Sequence, residues 1–336
     1  MINHSNEVHN LSEGRGQEYL TRRIMPGGRF DDLVGFPRYV EVETVNACNA
    51  RCPMCTIADW ERGHKPMTDK LYKKIASELI EHSDDLTRVS LYRDGEPLID
   101  KKLGDRVSVL KDGGIKNVSI ATNVSLLNEE RSKELLNAGL DTIIMSIDSL
   151  NKEVFEAIRV RLVMEEVVEN ALKFIELRDQ IRPSTKIWMR MIKQEGNKDE
   201  WPSYEKFWSE RMSSQDRIYY HNIFNWGGQL SGYVPFAKTF EPNLPCVALW
   251  SLMVIFCNGD VPLCNVDFNN KYPTGSVVTQ SIEELWRSKI LSDRRDLHMN
   301  GDKGQIGLCK NCNVWDESPD MEGVSSEYAT EIELRM

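Results

Sequence analysis

Three cysteines stand within eight residues, Cys48-Asn-Ala-Arg-Cys52-Pro-Met-Cys55, directly after the first apolar run that reads as a β-strand. No cysteine follows until Cys246, and five then fall between 246 and 312. Cysteines kept only as small core residues scatter more evenly than this. The N-terminal stretch MINHSNEVHNLSEGRGQEYL lacks the basic and then apolar organisation of a secretion signal. No run approaches the roughly 20 apolar residues that a membrane span needs. The expected location is therefore the cytoplasm, where thiols stay reduced and clustered cysteines read as metal ligands, not disulfides. Three thiolates on a short loop can hold three corners of an iron–sulfur cube and leave one iron open for a ligand. A structural zinc site is the competing reading.

The sequence around this loop predicts α/β architecture. Strand-like runs at Tyr39–Val45, Arg88–Tyr92, Asn117–Thr122, Thr142–Ile147, Lys186–Ile192 and Arg217–Phe224 alternate with helical patterns, the sign of βα units on a parallel sheet. Thr68 and Asn128 are expected N-caps, and Gly139 a helix stop. A further helix over 165–177 is expected to turn Val168, Leu172 and Ile175 to one face. Six units are fewer than a closed barrel's eight, so a partial, TIM-like (β/α)6 barrel is expected, with function at the C-terminal ends of its strands. Past a Pro- and Gly-bearing linker at Ser231–Pro245, the runs 252–256 and 261–264 flank Asn258-Gly259 and read as a β-hairpin. Ser281 and Glu284 form a capping box that opens a short helix. The net charge of −10, from 42 basic and 52 acidic residues with no basic run, speaks against nucleic acid as a partner.

In this position after strand one, the Cys48, Cys52 and Cys55 triplet resembles the CxxxCxxC signature of the radical SAM superfamily. The resemblance implies that a 4Fe-4S cluster on these residues is chelated at its open iron by S-adenosylmethionine (SAM). Reductive cleavage then gives a 5′-deoxyadenosyl radical that abstracts hydrogen from unactivated carbon. Asp94-Gly95-Glu96-Pro97 is similar to the family's glycine–glutamate motif, which implies that Gly95 and Glu96 meet the cofactor's amine, although Asp94 replaces the commoner glycine. By the same resemblance Asn123 and Ser146, with Asp148, would contact ribose and carboxylate. Arg159 would pair with the carboxylate, although Val160-Arg161-Leu162-Val163 replaces the usual glycine-containing segment. Met54 would lie beside adenine, where an aromatic is common. Glu96, Ser146 and Asp148 could instead be local caps and turn residues.

The later cysteines resemble the SPASM and twitch extensions of that superfamily, which implies a second, auxiliary 4Fe-4S cluster on Cys246, Cys264, Cys309 and Cys312. A four-cysteine zinc site is the alternative. Together the resemblances divide the chain into a polar extension (1–36), a radical SAM partial barrel (37–230), a cysteine-rich SPASM or twitch domain of hairpin and helix (231–316) and an acidic tail (317–336). Cys257 remains over: a small core residue, or a thiol that donates hydrogen to a substrate radical in an epimerase. Gln194, Asn197, Glu200, His221, Asn222, Asn225 and Trp226 follow strands five and six, and their amide-rich character suits a small hydroxylated or aminated substrate. The expectation is a radical SAM oxidoreductase or epimerase acting on a sugar, aminocyclitol or aminoglycoside-like molecule, reduced by a flavodoxin or ferredoxin. A peptide-modifying enzyme and a non-catalytic electron carrier are the other readings.

Overall fold

Residues 13–63, 66–223, 226–229, 244–310 and 312 are described in the computed structural model of the chain. Asn225, residues 231–243 of the expected linker and the acidic tail lie outside them. Seven parallel strands form one open sheet: β1 (Tyr39–Val42), β2 (Arg88–Ser90), β3 (Val118–Thr122), β4 (Thr142–Ser146), β5 (Lys186–Lys193), β6 (Arg217–Asn222) and β7 (Leu252–Ile255). Their order is β6-β5-β4-β3-β2-β1-β7, and each of the six barrel strands falls where the sequence predicts it. Burial of every residue in β1 to β4 fits a parallel sheet covered on both faces. Helices pack outside. Thr68 and Asn128 accept hydrogen bonds from Leu71 and Arg131 as N-caps, and Gly139 takes φ +89° just past its helix.

Inside the sheet a floor forms from Tyr92, Ala121, Ile144, Trp188 and Tyr219. The Arg88 guanidinium lies over the rings of Tyr39 and Trp188, 5.6 and 5.4 Å from their centroids. Such aromatic and cation–π packing fills the barrel beneath the strands' C-terminal ends.

Two expectations need correction. The Asn258-Gly259 turn is present, with Gly259 at φ +91° and the Phe256 amide donating to the Asp260 carbonyl at 2.9 Å, but the pairing of its two arms stops at that bond. The first arm becomes β7, parallel to β1 from Tyr39↔Leu252 to Val42↔Ile255. The second, β8 (Asp260–Val261), pairs antiparallel with β9 (Gly275–Ser276). Burying the apolar run Leu252-Met-Val-Ile255 beside β1 covers an edge that a lone hairpin would expose. In the helix Met164–Ile181 the buried residues are Val167, Ala171, Phe174, Ile175, Leu177 and Arg178, so Ile175 is buried as expected and Val168 partly so, while Leu172 is exposed. Arg178 stands among them because Asp216 accepts two bonds of 2.8 Å from its guanidinium.

Within the expected polar extension, the described residues 13–36 are largely helical. Helices Glu13–Ile24 and Phe30–Gly35 bury Leu20, Ile24 and Leu33, and Trp286 donates to the Leu33 carbonyl at 3.1 Å. They pack on the C-terminal segment and tie it to the barrel. No helix among the described residues is long and apolar enough to cross a membrane.

Candidate functional site

A cavity of about 240 Å³ opens at the C-terminal ends of the strands. Cys48, Cys52 and Cys55 line one wall, and Gly95, Glu96, Asn123, Ser146, Arg159 and Met54 line it as well. Nine residues that the sequence singles out thus line one cavity. As free thiols Cys48 and Cys55 are pushed up by burial to about 11 and about 12, so metal binding there has to displace protons. No three His, Cys, Asp or Glu side chains among the described residues gather as a single-ion site. A four-iron cube makes no such demand, since each thiolate meets its own iron.

Glu96 joins two strand ends. Its carboxylate accepts from the Thr122 hydroxyl at 2.7 Å, the Asn123 amide at 2.7 Å and the Leu98 amide at 3.1 Å. The last bond caps a 3-10 turn, so the local role foreseen as an alternative is real alongside the cavity-facing one. These donors carry no charge, and burial pulls the Glu96 carboxyl up to about 7. Gly95 has a separate reason to be glycine: a Cβ would stand 2.6 Å from the carbonyl oxygens of Val45 and Ala47.

Asp148 does not line the cavity. It is fully buried, accepts from the Ile192 amide at 2.7 Å and pairs with Arg159 Nε at 2.6 Å. It therefore positions Arg159, whose Nη1 reaches to 3.9 Å from Cys52 Sγ. Burial works against the Arg159 charge, but Asp148 and Cys52 outweigh it and raise its pKa. Its Nη2 is buried without a hydrogen-bond partner. Arg161 takes φ +79°, the conformation a glycine adopts freely, so the turn after Arg159 keeps its shape despite the missing glycine. Ser146 Oγ accepts from Arg190 Nη2 at 2.8 Å, and Asn123 Nδ2 donates to Asn49 of the cysteine loop at 2.9 Å.

Of the expected substrate contacts, His221, Asn222 and Trp226 line the cavity. Gln194, Asn197 and Glu200 do not. Asn197 donates to the carbonyls of Asp148 and Ile192, and Glu200 accepts from Ser149 at 2.6 Å, so both brace the loop behind Asp148. Cys257 also lies off the cavity wall. Its amide donates to Glu43 Oε2 at 3.0 Å, and burial, then Glu43, push its thiol up to about 12. Glu41, Tyr92, Arg93, Arg190 and Asn265 line the cavity and escaped the sequence reading. Glu41 and Arg190 are inward positions of strands, a signal that strand alternation carries.

Cys246, Cys264, Cys309 and Cys312 are all half-buried and close enough for their charges to interact. Burial, reinforced by Cys312, lifts Cys264 to about 12, and burial with neighbouring thiols also raises Cys246 and Cys309. Asn265 and Val266, directly after Cys264, reach the main cavity, so the second cysteine set adjoins it. The donors fit the groups that the resemblance implies: three thiols beside an open space, an unpartnered buried guanidinium N–H for a carboxylate, and an uncharged-bonded carboxylate for an ammonium.

The family model for the radical SAM superfamily matches residues 42–200, and that for an iron–sulfur cluster-binding SPASM domain matches residues 246–313. S-adenosyl-L-methionine-dependent 2-deoxy-scyllo-inosamine dehydrogenase of Niallia circulans is 25% identical over 275 residues, 82% of this chain and 92% of that one. The crystal structure of BtrN in complex with AdoMet and 2-DOIA superposes with a TM-score of 0.59 at 23% identity, covering 82% of this chain and 93% of that chain. Streptococcus suis SuiB bound to precursor peptide SuiA superposes with a TM-score of 0.61 at 16% identity, covering 84% and 71%. With its SPASM-type extension, a SAM cofactor and catalytic and auxiliary 4Fe-4S clusters, the chain is an enzyme that belongs to the radical SAM superfamily.

Proposed function

We propose that this enzyme dehydrogenates a small hydroxylated, aminated ring of the aminocyclitol class. The observation that carries the reading is a single cavity whose walls come from both cysteine sets: Cys48, Cys52 and Cys55 on one side, Asn265 and Val266 beside Cys264 on the other. Similarity along 92% of the 2-deoxy-scyllo-inosamine dehydrogenase supports the same class. In this reading Cys48, Cys52 and Cys55 hold the catalytic cluster, and Cys246, Cys264, Cys309 and Cys312 the auxiliary one. Glu96 and Gly95 receive the cofactor's amine, Arg159 its carboxylate, Asn123 and Ser146 its ribose, and Met54 its adenine, with Asp148 fixing Arg159. Together the bound groups supply a 5′-deoxyadenosyl radical. Ketone formation removes one hydrogen atom from a carbinol carbon, then the hydroxyl proton to solvent and one electron. The position of Cys264 beside the cavity gives that electron a nearby exit. A cytoplasmic setting, with flavodoxin or ferredoxin as reductant, completes the proposal.

Dehydrogenation is favoured over epimerisation because Cys48, Cys52 and Cys55 are the cysteines that line the cavity among the described residues, while Cys257 is behind Glu43. Anaerobic reconstituted protein given dithionite, SAM and 2-deoxy-scyllo-inosamine should yield 5′-deoxyadenosine and ketone in equal amounts. The Cys257→Ala variant should do the same. A product of unchanged formula, or its loss in that variant, would establish epimerisation instead.

The electrostatics of Glu96 give a second expected result. Its folded carboxyl is pushed up by burial to about 7, above the ordinary value of 4.5, and an amine N–H donated to it favours ionisation. SAM binding near neutral pH should therefore release protons, visible as a calorimetric enthalpy that depends on the buffer's ionisation enthalpy. Release should fall in Glu96→Gln, leaving the proton that the amine itself sheds on chelating iron. Binding without proton exchange in the unaltered enzyme would place the amine elsewhere.

A further inference from the structure

We propose that His298 is a positioning residue for the auxiliary cluster: its neutral imidazole holds the backbone of Cys246 so that this sulfur meets those of Cys264, Cys309 and Cys312. The role rests on the reading of these four cysteines as the cluster's ligands, and it names what brings the first of them to the others. The Cys246 amide nitrogen lies 3.2 Å from His298 Nδ1. A backbone N–H can only donate, so Nδ1 accepts and the ring carries its proton on Nε2. His298 is 1% exposed, and its Nε2 makes no hydrogen bond among the described residues. A buried donor left in that state costs stability, and an apolar side chain would fill the same space without the cost. The bond to Cys246 is what histidine adds at this position.

One stretch of chain grips the Cys246 turn from several sides. In the helix Lys289–Met299, Arg295 lies one turn before His298 on the same face, and its Nε donates to the Leu249 carbonyl at 2.8 Å. Past the helix, Lys303 Nζ donates to the Leu244 carbonyl at 3.1 Å. Leu244 and Leu249 flank Cys246, and of these three gripping side chains His298 is the one bonded to the ligand residue itself. The same chain then runs into Cys309, whose amide donates to the Ile306 carbonyl at 2.8 Å. A continuous segment therefore carries the last two ligands and fixes the first. Within the turn the Ala248 amide bonds the Cys246 sulfur, as the Val266 amide does the Cys264 sulfur at 3.5 Å. Such a turn aims its sulfur through the backbone, so releasing the Cys246 amide lets the sulfur swing. Trp250 meets the imidazole edge to face, with 6.5 Å between centroids, and keeps the ring in place. Residues that orient a ligand without touching the metal change its affinity by roughly 10–100-fold.

The test compares His298→Leu, which fills the space and cannot accept, with His298→Asn, whose Oδ1 can stand where Nδ1 does. Each full-length variant is reconstituted anaerobically with iron and sulfide beside the wild type. Bound iron is then measured, together with the EPR spectrum of the dithionite-reduced protein with and without SAM. In His298→Leu the iron should fall to about half that of the wild type, one of two 4Fe-4S clusters being lost. The signal that ignores SAM should vanish, while the SAM-responsive signal of the catalytic cluster remains. His298→Asn should keep both. Full iron in His298→Leu, or loss of the auxiliary signal from both variants alike, would overturn the role of the Nδ1 acceptor. Loss of the SAM-responsive signal along with the auxiliary one would overturn it too, because His298 would then serve the whole fold. Wild-type protein that takes up a single cluster sinks the reading of the four cysteines beneath the proposal, whereas two clusters in both wild type and His298→Leu sink the positioning role alone.

Discussion

Replacing Gly95 with alanine is expected to abolish 5′-deoxyadenosine formation and to destabilise the fold by about 1–3 kcal/mol. The new Cβ would lie 2.6 Å from the carbonyl oxygens of Val45 and Ala47 and 3.0 Å from the Ala47 nitrogen. These are backbone atoms, which cannot rotate aside as a side chain would. The Glu96 amide also donates to the Ala47 carbonyl at 2.8 Å, so Gly95-Glu96 and the chain leading into Cys48 pack as one unit. Relief of the clash must push that chain outward and displace Cys48, or move Glu96 from the cavity wall. Positioning errors of this kind cost far more in rate than in stability. Anaerobic assay of 5′-deoxyadenosine beside urea unfolding measures both effects. Wild-type product formation in Gly95→Ala would show that the contact is not needed.

The sequence makes local features of this site legible and long-range ones obscure. The cysteine loop, the caps at Thr68, Asn128 and Ser281 and the strand-end residues Glu96, Asn123 and Ser146 are readable because each depends on a few neighbouring positions. Parallel pairing of Leu252–Ile255 with Tyr39–Val42 joins segments over 200 residues apart, and a short apolar run before Asn258-Gly259 carries the same local pattern as a hairpin. Asp148 looks like a cofactor contact because it ends a strand, yet its partner is Arg159. Leu172 fits the helical period, but the buried turn position goes to Arg178, whose charge is answered by Asp216. Glu43, Arg62, Asp94 and Cys257 meet only in space, so neither composition nor spacing marks them as neighbours. Trp226, at φ +52°, takes a left-handed conformation that a bulky residue rarely adopts, and no residue pattern announces it.

Arg62→Met is expected to be the most destabilising single change near the cavity, costing roughly 3–5 kcal/mol. The guanidinium donates to both oxygens of Glu43 at 2.7 and 2.8 Å, to Asp94 at 2.9 Å and to the Phe268 carbonyl at 2.6 Å. It also lies 3.5 Å above the ring of Phe256. Through these contacts one side chain joins the segment after Cys55 to the ends of β1 and β2 and to the C-terminal segment. Methionine keeps much of the apolar stem but leaves two buried carboxylates facing each other. For Asp94 the sign with pH is fixed by its folded value of about 6, above the ordinary 3.8. A raised carboxyl is one whose ionisation the fold resists, so its cost grows as pH rises from the unfolded value and is complete above the folded one. Loss of Arg62 removes an attraction that lowers Asp94, so the folded value climbs further. The stability gap between variant and wild type should therefore be widest above about pH 7 and narrow as acid protonates Asp94. Urea unfolding of the two proteins across that range measures it. A gap independent of pH would assign the loss to packing on Phe256, while Arg62→Lys, which retains charge without the fork, should fall between the two.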